Sequence, residues 1–294
     1  MDIKQLSTFL TIARLQSFTK AAQSLDYAQS SITSQISLLE KELGVRLFER
    51  LGHSITLTTE GKKLLPFAQQ IIKLSNEAKG AVTSTEVPCG TLSIGAVESL
   101  CVMRLPKLLK EYRSRYPNVE IALKFGSSGD FKGFLKDNII DIAFFLEQKA
   151  IDGDFITEVR FPEPMVILSS PAHPLARKES VYPQDLNGAP LILTEKDCTY
   201  RLLFESMLAQ YAIKSRSVIE TGNVQAIKQF AMGGLGITFL PLVAVEEECA
   251  QGRLARLNWK GPVLEMLTQV VYHRNKWISP PLKAFIELIH EVGF

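Results

Sequence analysis

The apolar residues at the start of this chain change their period in an order that few folds accept. Leu6, Phe9, Leu10 and Ala13 recur at i, i+3, i+4 and i+7, the stripe of an amphipathic helix from Ile3 to Arg14. Ser17 is placed to cap a short second helix, TKAAQSL, whose Ala21, Ala22 and Leu25 face inward. After a break at Asp26-Tyr27, a third helix is expected from Ala28 to Leu43. Ile32, Ile36, Leu39 and Leu43 form its stripe and Gly44 its left-handed stop. The period then falls to two, and VRLFER and SITLTT read as strands of a hairpin around Leu51-Gly52-His53. The alanines of the second helix let two helices cross closely after a short turn, so three helices and a hairpin in this order predict a winged helix-turn-helix over residues 1–58.

The third helix begins with amides and hydroxyls: Gln29, Ser30, Ser31, Thr33, Ser34 and Gln35. A merely solvated face usually carries Glu and Lys, whereas uncharged hydrogen-bonding groups suit base edges and phosphates in the major groove. A soluble face is the alternative. Arg50 and His53 sit on the hairpin, where a cation or imidazole can meet a phosphate or the minor groove. Residues 1–80 carry 10 Lys and Arg against 7 Asp and Glu, and the remainder 23 against 24, so the slight basic excess lies where nucleic-acid binding needs it.

A long helix is expected from Thr59, read as its N-cap, to about Thr83, with Pro66 inside it. Leu64, Ala68, Ile71, Ser75, Ala78 and Val82 follow one another at steps of 4, 3, 4, 3 and 4, the seam of a coiled coil between two chains. Packing on its own domain is the alternative. The stretch STEVPCG breaks the pattern near residue 87.

From residue 88 onward the pattern alternates strand and helix. TLSIGAV, a helix from Leu105 to Tyr116, VEIALKF, a helix from Ser128 to Lys136 and IIDIAFFL imply an α/β domain with a largely parallel sheet. MVILSS, LILT, a helix from Tyr200 to Tyr211, SVIE, a helix from Val224 and GITFLP imply a second lobe over about 162–266. The segment 267–294, LTQVVYH and a helix from Pro280, returns to the first lobe of about 88–161. Ligands of open α/β sheets bind beyond the carboxyl ends of the strands. That rule selects Glu98-Ser99-Leu100, Ser127-Ser128 and Thr199-Tyr200-Arg201. Hydroxyls beside helix N-termini suit a small anionic metabolite, against which Glu98 counts. Simple N-capping is the alternative for each Ser and Thr.

Enzymatic chemistry finds no footing: GxSxG, P-loop and HExxH motifs are absent, and His53, His173, His273 and His290 are isolated. Cys89, Cys101, Cys198 and Cys249 lack CxxC spacing and read as reduced thiols, with a redox role for Cys101 or Cys198 as the minor alternative. No cofactor and no metal is expected. Without a long apolar run or an export-like N-terminus, the expected location is the cytoplasm, away from any membrane.

The run FTKAAQSLDYAQSSITSQISLLEKELGVRLFERLGHSITLTTEG resembles the signature of LysR-type transcriptional regulators across residues 1–61. Phe18, Ala21-Ala22, Leu25, Ser31, Ile36, Leu39-Glu40, Leu43-Gly44, Leu47-Phe48, Arg50, Leu57-Thr58 and Gly61 carry the match. Position 34 departs from it, being Ser34 where that family often has arginine. AHPLA at 172–176 and GGLGITFLP at 233–241 are similar to the family as well. The resemblance implies a two-lobed, type 2 periplasmic-binding-protein-like effector domain over 88–294 and a linker helix over 59–87 that pairs two chains. It implies Asn223 as a further residue of the effector cleft. Its implied partners are operator DNA, a small-molecule effector, a second copy in dimers or tetramers, and RNA polymerase. An exported solute-binding protein and an architectural DNA-binding protein are the other classes, and neither has a use for both parts of the chain.

Overall fold

The computed structural model describes residues 1–51, 54–83 and 87–293. The chain divides into two compact units, one of Met1–Thr85 with Asp137–Ile139 and one of the remaining residues.

The first unit contains α1 (Ile3–Leu15), α2 (Phe18–Ser24), α3 (Gln29–Leu43), β1 (Phe48–Leu51), β2 (Ser54–Leu57) and α4 (Thr59–Thr83). Asp2 and Gln5 cap α1 reciprocally, each side chain accepting from the other's backbone N–H. Ser17 Oγ accepts from Lys20 N to start α2, and Gly44 at φ 70° stops α3. Phe9, Ile12, Ala21, Ile32 and Leu39 form a core that is closed to solvent. Phe48 enters it from the hairpin, its ring 5.3 Å from Phe9 and 5.8 Å from Phe18. Glu40 ties the hairpin to α3 by accepting from Leu47 N at 2.7 Å and Phe48 N at 3.4 Å. Leu43 is exposed instead of buried, because the apolar stripe continues past the part of α3 that the core covers.

The cap of α4 is Thr58, one residue earlier than expected. Its buried Oγ1 accepts from Gly61 N at 2.9 Å and donates to Arg46 O at 2.7 Å. Gly61 permits this packing, since a Cβ there would stand 2.2 Å from Leu47 O. Ala68 is buried in the core of the first unit, with Leu64, Leu65, Ile71 and Ile72 packed against it. One face of the first half of α4 therefore packs on its own domain, while Phe67, Leu74 and Val82 leave apolar surface exposed along the helix.

The second unit contains β3 (Gly90–Ala96), α5 (Glu98–Met103), α6 (Leu105–Arg115), β4 (Val119–Phe125), α7 (Ser128–Lys136), β5 (Ile142–Glu147), β6 (Phe155–Ser169), β7 (Pro190–Leu193), α8 (Thr199–Gln210), β8 (Ser217–Glu220), α9 (Val224–Met232), β9 (Ile237–Pro241), α10 (Glu246–Ala250), β10 (Ala255–Arg256), β11 (Glu265–His273) and α11 (Pro280–Val292). The strands form one nine-stranded sheet in the order β4-β3-β5-β11-β6-β9-β7-β8, with β10 also on β6. Its flanks are parallel, β3 with β4 and β5, and β7 with β8 and β9. Its middle is antiparallel, β11 with β5 and β6, and β6 with β9. The sheet is thus mixed, not largely parallel.

The expected strand MVILSS is only the end of β6. Pro162 and Pro164 interrupt the strand-like pattern of its first part, yet both residues lie in register with β11, opposite Leu267 and Glu265. The lobe boundary drawn at 161/162 falls inside this one strand, which pairs with β11 in its first part and with β9 from Met165 onward.

The buried ammonium of Lys276 pairs with the buried carboxylate of Asp141 at 2.7 Å, and the same carboxylate accepts from Ser93 N at 2.7 Å. Asp141→Ala leaves that ammonium buried without its carboxylate, and is expected to lower the free energy of unfolding by about 3–5 kcal/mol. Urea denaturation of the two proteins measures this directly.

Candidate functional site

Two surfaces collect the polar residues singled out by sequence. On the first, Gln29, Ser30, Ser31 and Ser34 are exposed along the N-terminal part of α3. Gln29 is oriented by its neighbours: its Oε1 accepts from Thr19 Oγ1 at 3.1 Å, and its carbonyl accepts from Thr33 Oγ1 at 2.9 Å. Gln35 belongs elsewhere. Its Oε1 accepts from the buried Thr8 hydroxyl at 2.6 Å, so it ties α3 to α1. The Arg50 backbone pairs with Ile55 in the hairpin, while its side chain and all of His53 lie outside the described residues. Thr19, Lys20 and Tyr27 are also exposed, at the entrances to α2 and α3. The Ser17 cap places Thr19 and Lys20 in the first turn of α2.

The second surface is a cleft between the lobes of the second unit, a cavity of about 350 Å³, within the range of small-molecule sites. Glu98, Ser99, Ser127, Ser128, Thr199 and Tyr200 line it, as expected from their places at strand ends. Leu100 and Asn223 do not. Leu100 is fully buried in the core, and Asn223 caps α9 by accepting from Ala226 N at 2.8 Å. Thr199 spans the lobes, its hydroxyl donating to Leu146 O at 2.6 Å. Asp130 accepts from Ser127 Oγ at 2.8 Å and Ser127 N at 3.0 Å, bonds that hold its carboxyl below the usual range. Ser128 is different: the residue lines the cleft, and its Oγ is buried with no hydrogen-bond partner.

The charge of this lining opposes an anionic ligand. Glu98, Asp130, Glu195 and Asp197 line the cleft, and no Lys, Arg or His lines it among the described residues. Burial pushes the Glu98 carboxyl up, against a hydrogen bond from the Val224 backbone, and the nearby Glu195 pushes it further. Arg201, beside the cleft in sequence, is buried and committed to Thr194 O, to Glu205 at 2.9 Å and to Glu220 at 2.8 Å. Burial also pushes the thiols of Cys101, Cys198 and Cys249 up, the opposite direction from an activated cysteine. Among the described residues no cluster of His, Cys, Asp or Glu could hold a metal ion, and no helix is long and apolar enough to cross a membrane.

Both units match family models: the bacterial regulatory helix-turn-helix protein, lysR family, over residues 3–62, and the LysR substrate binding domain over residues 85–293. The chain belongs to the LysR family of transcriptional regulators. The uncharacterized HTH-type transcriptional regulator YwqM of Bacillus subtilis is 41% identical to it over 289 residues, covering 98% of each chain. Among solved structures, full-length CbnR complexed with its target DNA covers 100% of both chains with a TM-score of 0.69 at 20% identity. The regulatory domain of Synechocystis CcmR, in complex with 2-PG, covers 69% of this chain and 97% of its own with a TM-score of 0.63 at 24% identity. This LysR-family chain is therefore a DNA-binding transcription regulator with an effector-binding domain, and not an enzyme.

The reassignment of Gln35 has a measurable consequence. Gln35→Ala strands the buried Thr8 hydroxyl and is expected to cost about 1–3 kcal/mol of stability. Thermal unfolding of the variant registers this loss, and operator footprinting is expected to show unchanged base preference.

Proposed function

We propose that this LysR-family regulator reads its operator with the exposed N-terminal face of α3 and is switched, in the cytoplasm, by a small polar metabolite held between the lobes of its second unit. The observation that carries the effector half is Ser128 Oγ, a buried hydroxyl without a partner at the edge of a cavity. An unmet buried polar atom costs free energy that a ligand hydrogen bond would recover. Supporting the same reading, the CcmR regulatory domain was solved with 2-PG and CbnR with DNA. A metabolite acts as a switch only if it binds the two states with different affinity. Lobe closure supplies that difference, with β6 as the strand common to both lobes and Thr199–Leu146 as a bond between them.

A thermal-shift screen of the full chain against central metabolites tests the effector half. A ligand at a hundred times its Kd adds about 2.7 kcal/mol, and this gain is expected to vanish in Ser128→Val. A hit that survives Ser128→Val places the pocket elsewhere. For the DNA half, Gln29→Ala is expected to weaken operator binding by about 1–3 kcal/mol and relax preference at one position. Lys20→Ala is expected to weaken binding to every sequence and reduce the salt slope by about 1. Operator binding identical to the parent in both variants would remove α3 and its surroundings from the interface.

We read the protein further as a dimer joined through α4. Phe67, Leu74 and Val82 are 61%, 62% and 81% exposed, an apolar surface on one helix that a second copy would cover. With Ile71 and the exposed Ala78 they are spaced 4, 3, 4 and 4, which replaces Leu64, Ala68 and Ser75 of the expected seam. Tetramers of two such dimers, and contact with RNA polymerase, belong to this reading on family grounds. Ile71 packs against the core of its own unit, so Leu74→Glu is the cleaner probe. It is expected to give monomers in sedimentation velocity, and an intact dimer would rule out this surface.

A further inference from the structure

We propose that the cleft takes an organic cation, a small molecule whose protonated amine or guanidinium group faces Glu98 and Glu195. The inference rests on the reading of the cleft as the effector site and names the chemical class it accepts.

Four carboxylates line the cavity, and among the described residues no cationic side chain does. An anion entering would meet like charges in a partly desolvated space, where such repulsion is strong. The arginine nearest in sequence cannot offset them, since Arg201 is spent on Glu205, Glu220 and a backbone carbonyl. One carboxylate is structural: Asp130 is satisfied by Ser127. Glu98 and Glu195 are not balanced in this way. Glu98 accepts from the Val224 backbone, yet burial and Glu195 still raise its pKa, as is usual for a carboxylate whose counter-charge is missing. Glu195 reaches the cleft over a glycine, for a Cβ at Gly222 would stand 1.5 Å from Glu195 Oε1.

The second observation is independent of charge. Ser128, 6% exposed, lines the same cavity, and no protein group engages its buried hydroxyl. It is free to accept from an ammonium or to bond another polar group of the same molecule. The aromatic ring of Phe125, 62% exposed, completes the lining, and aromatic faces favour ammonium and guanidinium groups. A metal ion would need a shell of several ligands, and no such cluster occurs among the described residues.

The test uses the full chain in titration calorimetry with three matched series: α,ω-diaminoalkanes with agmatine, the dicarboxylates of the same lengths, and the corresponding diols. The diamines or agmatine are expected to bind saturably, and the dicarboxylates and diols not to bind. Glu98→Gln and Glu195→Gln are each expected to weaken that binding about tenfold or more. Gly222→Ala, which displaces Glu195 without altering any charge, is expected to weaken it as well. Folding is controlled by the unliganded unfolding midpoint. A carboxyl with a raised folded pKa loses its stabilising contribution as pH rises through that value, so Glu98→Gln is expected to hold or raise the midpoint at neutral pH. Dicarboxylate binding that Ser128→Val abolishes, without amine binding, would overturn the cation and leave the cleft as the effector site. Amine binding that ignores Glu98→Gln and Glu195→Gln would overturn the cation equally. If no series binds in a manner sensitive to Ser128→Val, both the cation and the effector reading of the cleft fall.

Discussion

The ladder between β6 and β11 is the constraint on which the second unit depends. β6 runs from Phe155 to Ser169, pairing first with β11 and then with β9, so one strand belongs to both lobes. Glu163 sits where it crosses, 1% exposed, with its carboxylate accepting from Arg104 at 2.9 and 3.1 Å and from Thr268 Oγ1 at 2.8 Å. A buried charge is tolerable only when its lone pairs are met, and here one arginine nitrogen, Arg104 Nη2, shared between both carboxylate oxygens, and a hydroxyl meet them. Arg104 also stacks 5.0 Å over Phe161, next to the prolines of β6. The crossing strand is thereby held by α5–α6 on one side and by β11 on the other, and the walls of the cleft inherit their spacing from it.

The first unit follows a related principle on a smaller scale. Its hairpin is too short to be stable alone, so polar groups anchor it at both ends. Glu40 takes the N–H groups that open β1, and Thr58 closes β2 while starting α4. Phe48 adds the apolar anchor between Phe9 and Phe18. Because α3 carries Glu40 and packs through Ile32, Ile36 and Leu39, its opposite face is free of structural duty near the N-terminus. Gln29, Ser30, Ser31 and Ser34 remain open there for recognition.

Local pattern made much of this legible. The helical stripes of α1 to α3, the Ser17 cap, the Gly44 stop and the alternation of β3 and β4 all depend on contacts a few residues apart, which leave a period in the chain. The six cleft residues at strand ends were legible for a topological reason, since parallel strands deliver their carboxyl ends to one side. The misses share a cause. MVILSS shows only the end of β6, because Pro162 and Pro164 interrupt the strand-like pattern before it and the partner strand β11 is distant in sequence. Strand-end position places Leu100 in the cleft without revealing which way its side chain turns, and the resemblance that implies Asn223 does not show that its side chain caps α9. The anionic ligand was inferred from hydroxyls and helix starts, and Glu195 and Asp197 escaped notice because nothing local brings them to Glu98.

By itself, the order of residues determined the winged helix-turn-helix, the long helix after it, the alternating α/β domain and the LysR family. These follow from propensity, capping and short-range periodicity, all of which are written within one or two turns of chain. The tertiary structure alone decided which polar groups are already spoken for. Gln35 is consumed by Thr8, Asp130 by Ser127 and Arg201 by Glu205 and Glu220, whereas Ser128 is left unmet. It also gathered carboxylates from three separate segments into one cavity that no cationic side chain lines among the described residues. Hydrogen bonds and Coulomb forces act through space, so their balance at a site exists only once distant segments have been folded against one another.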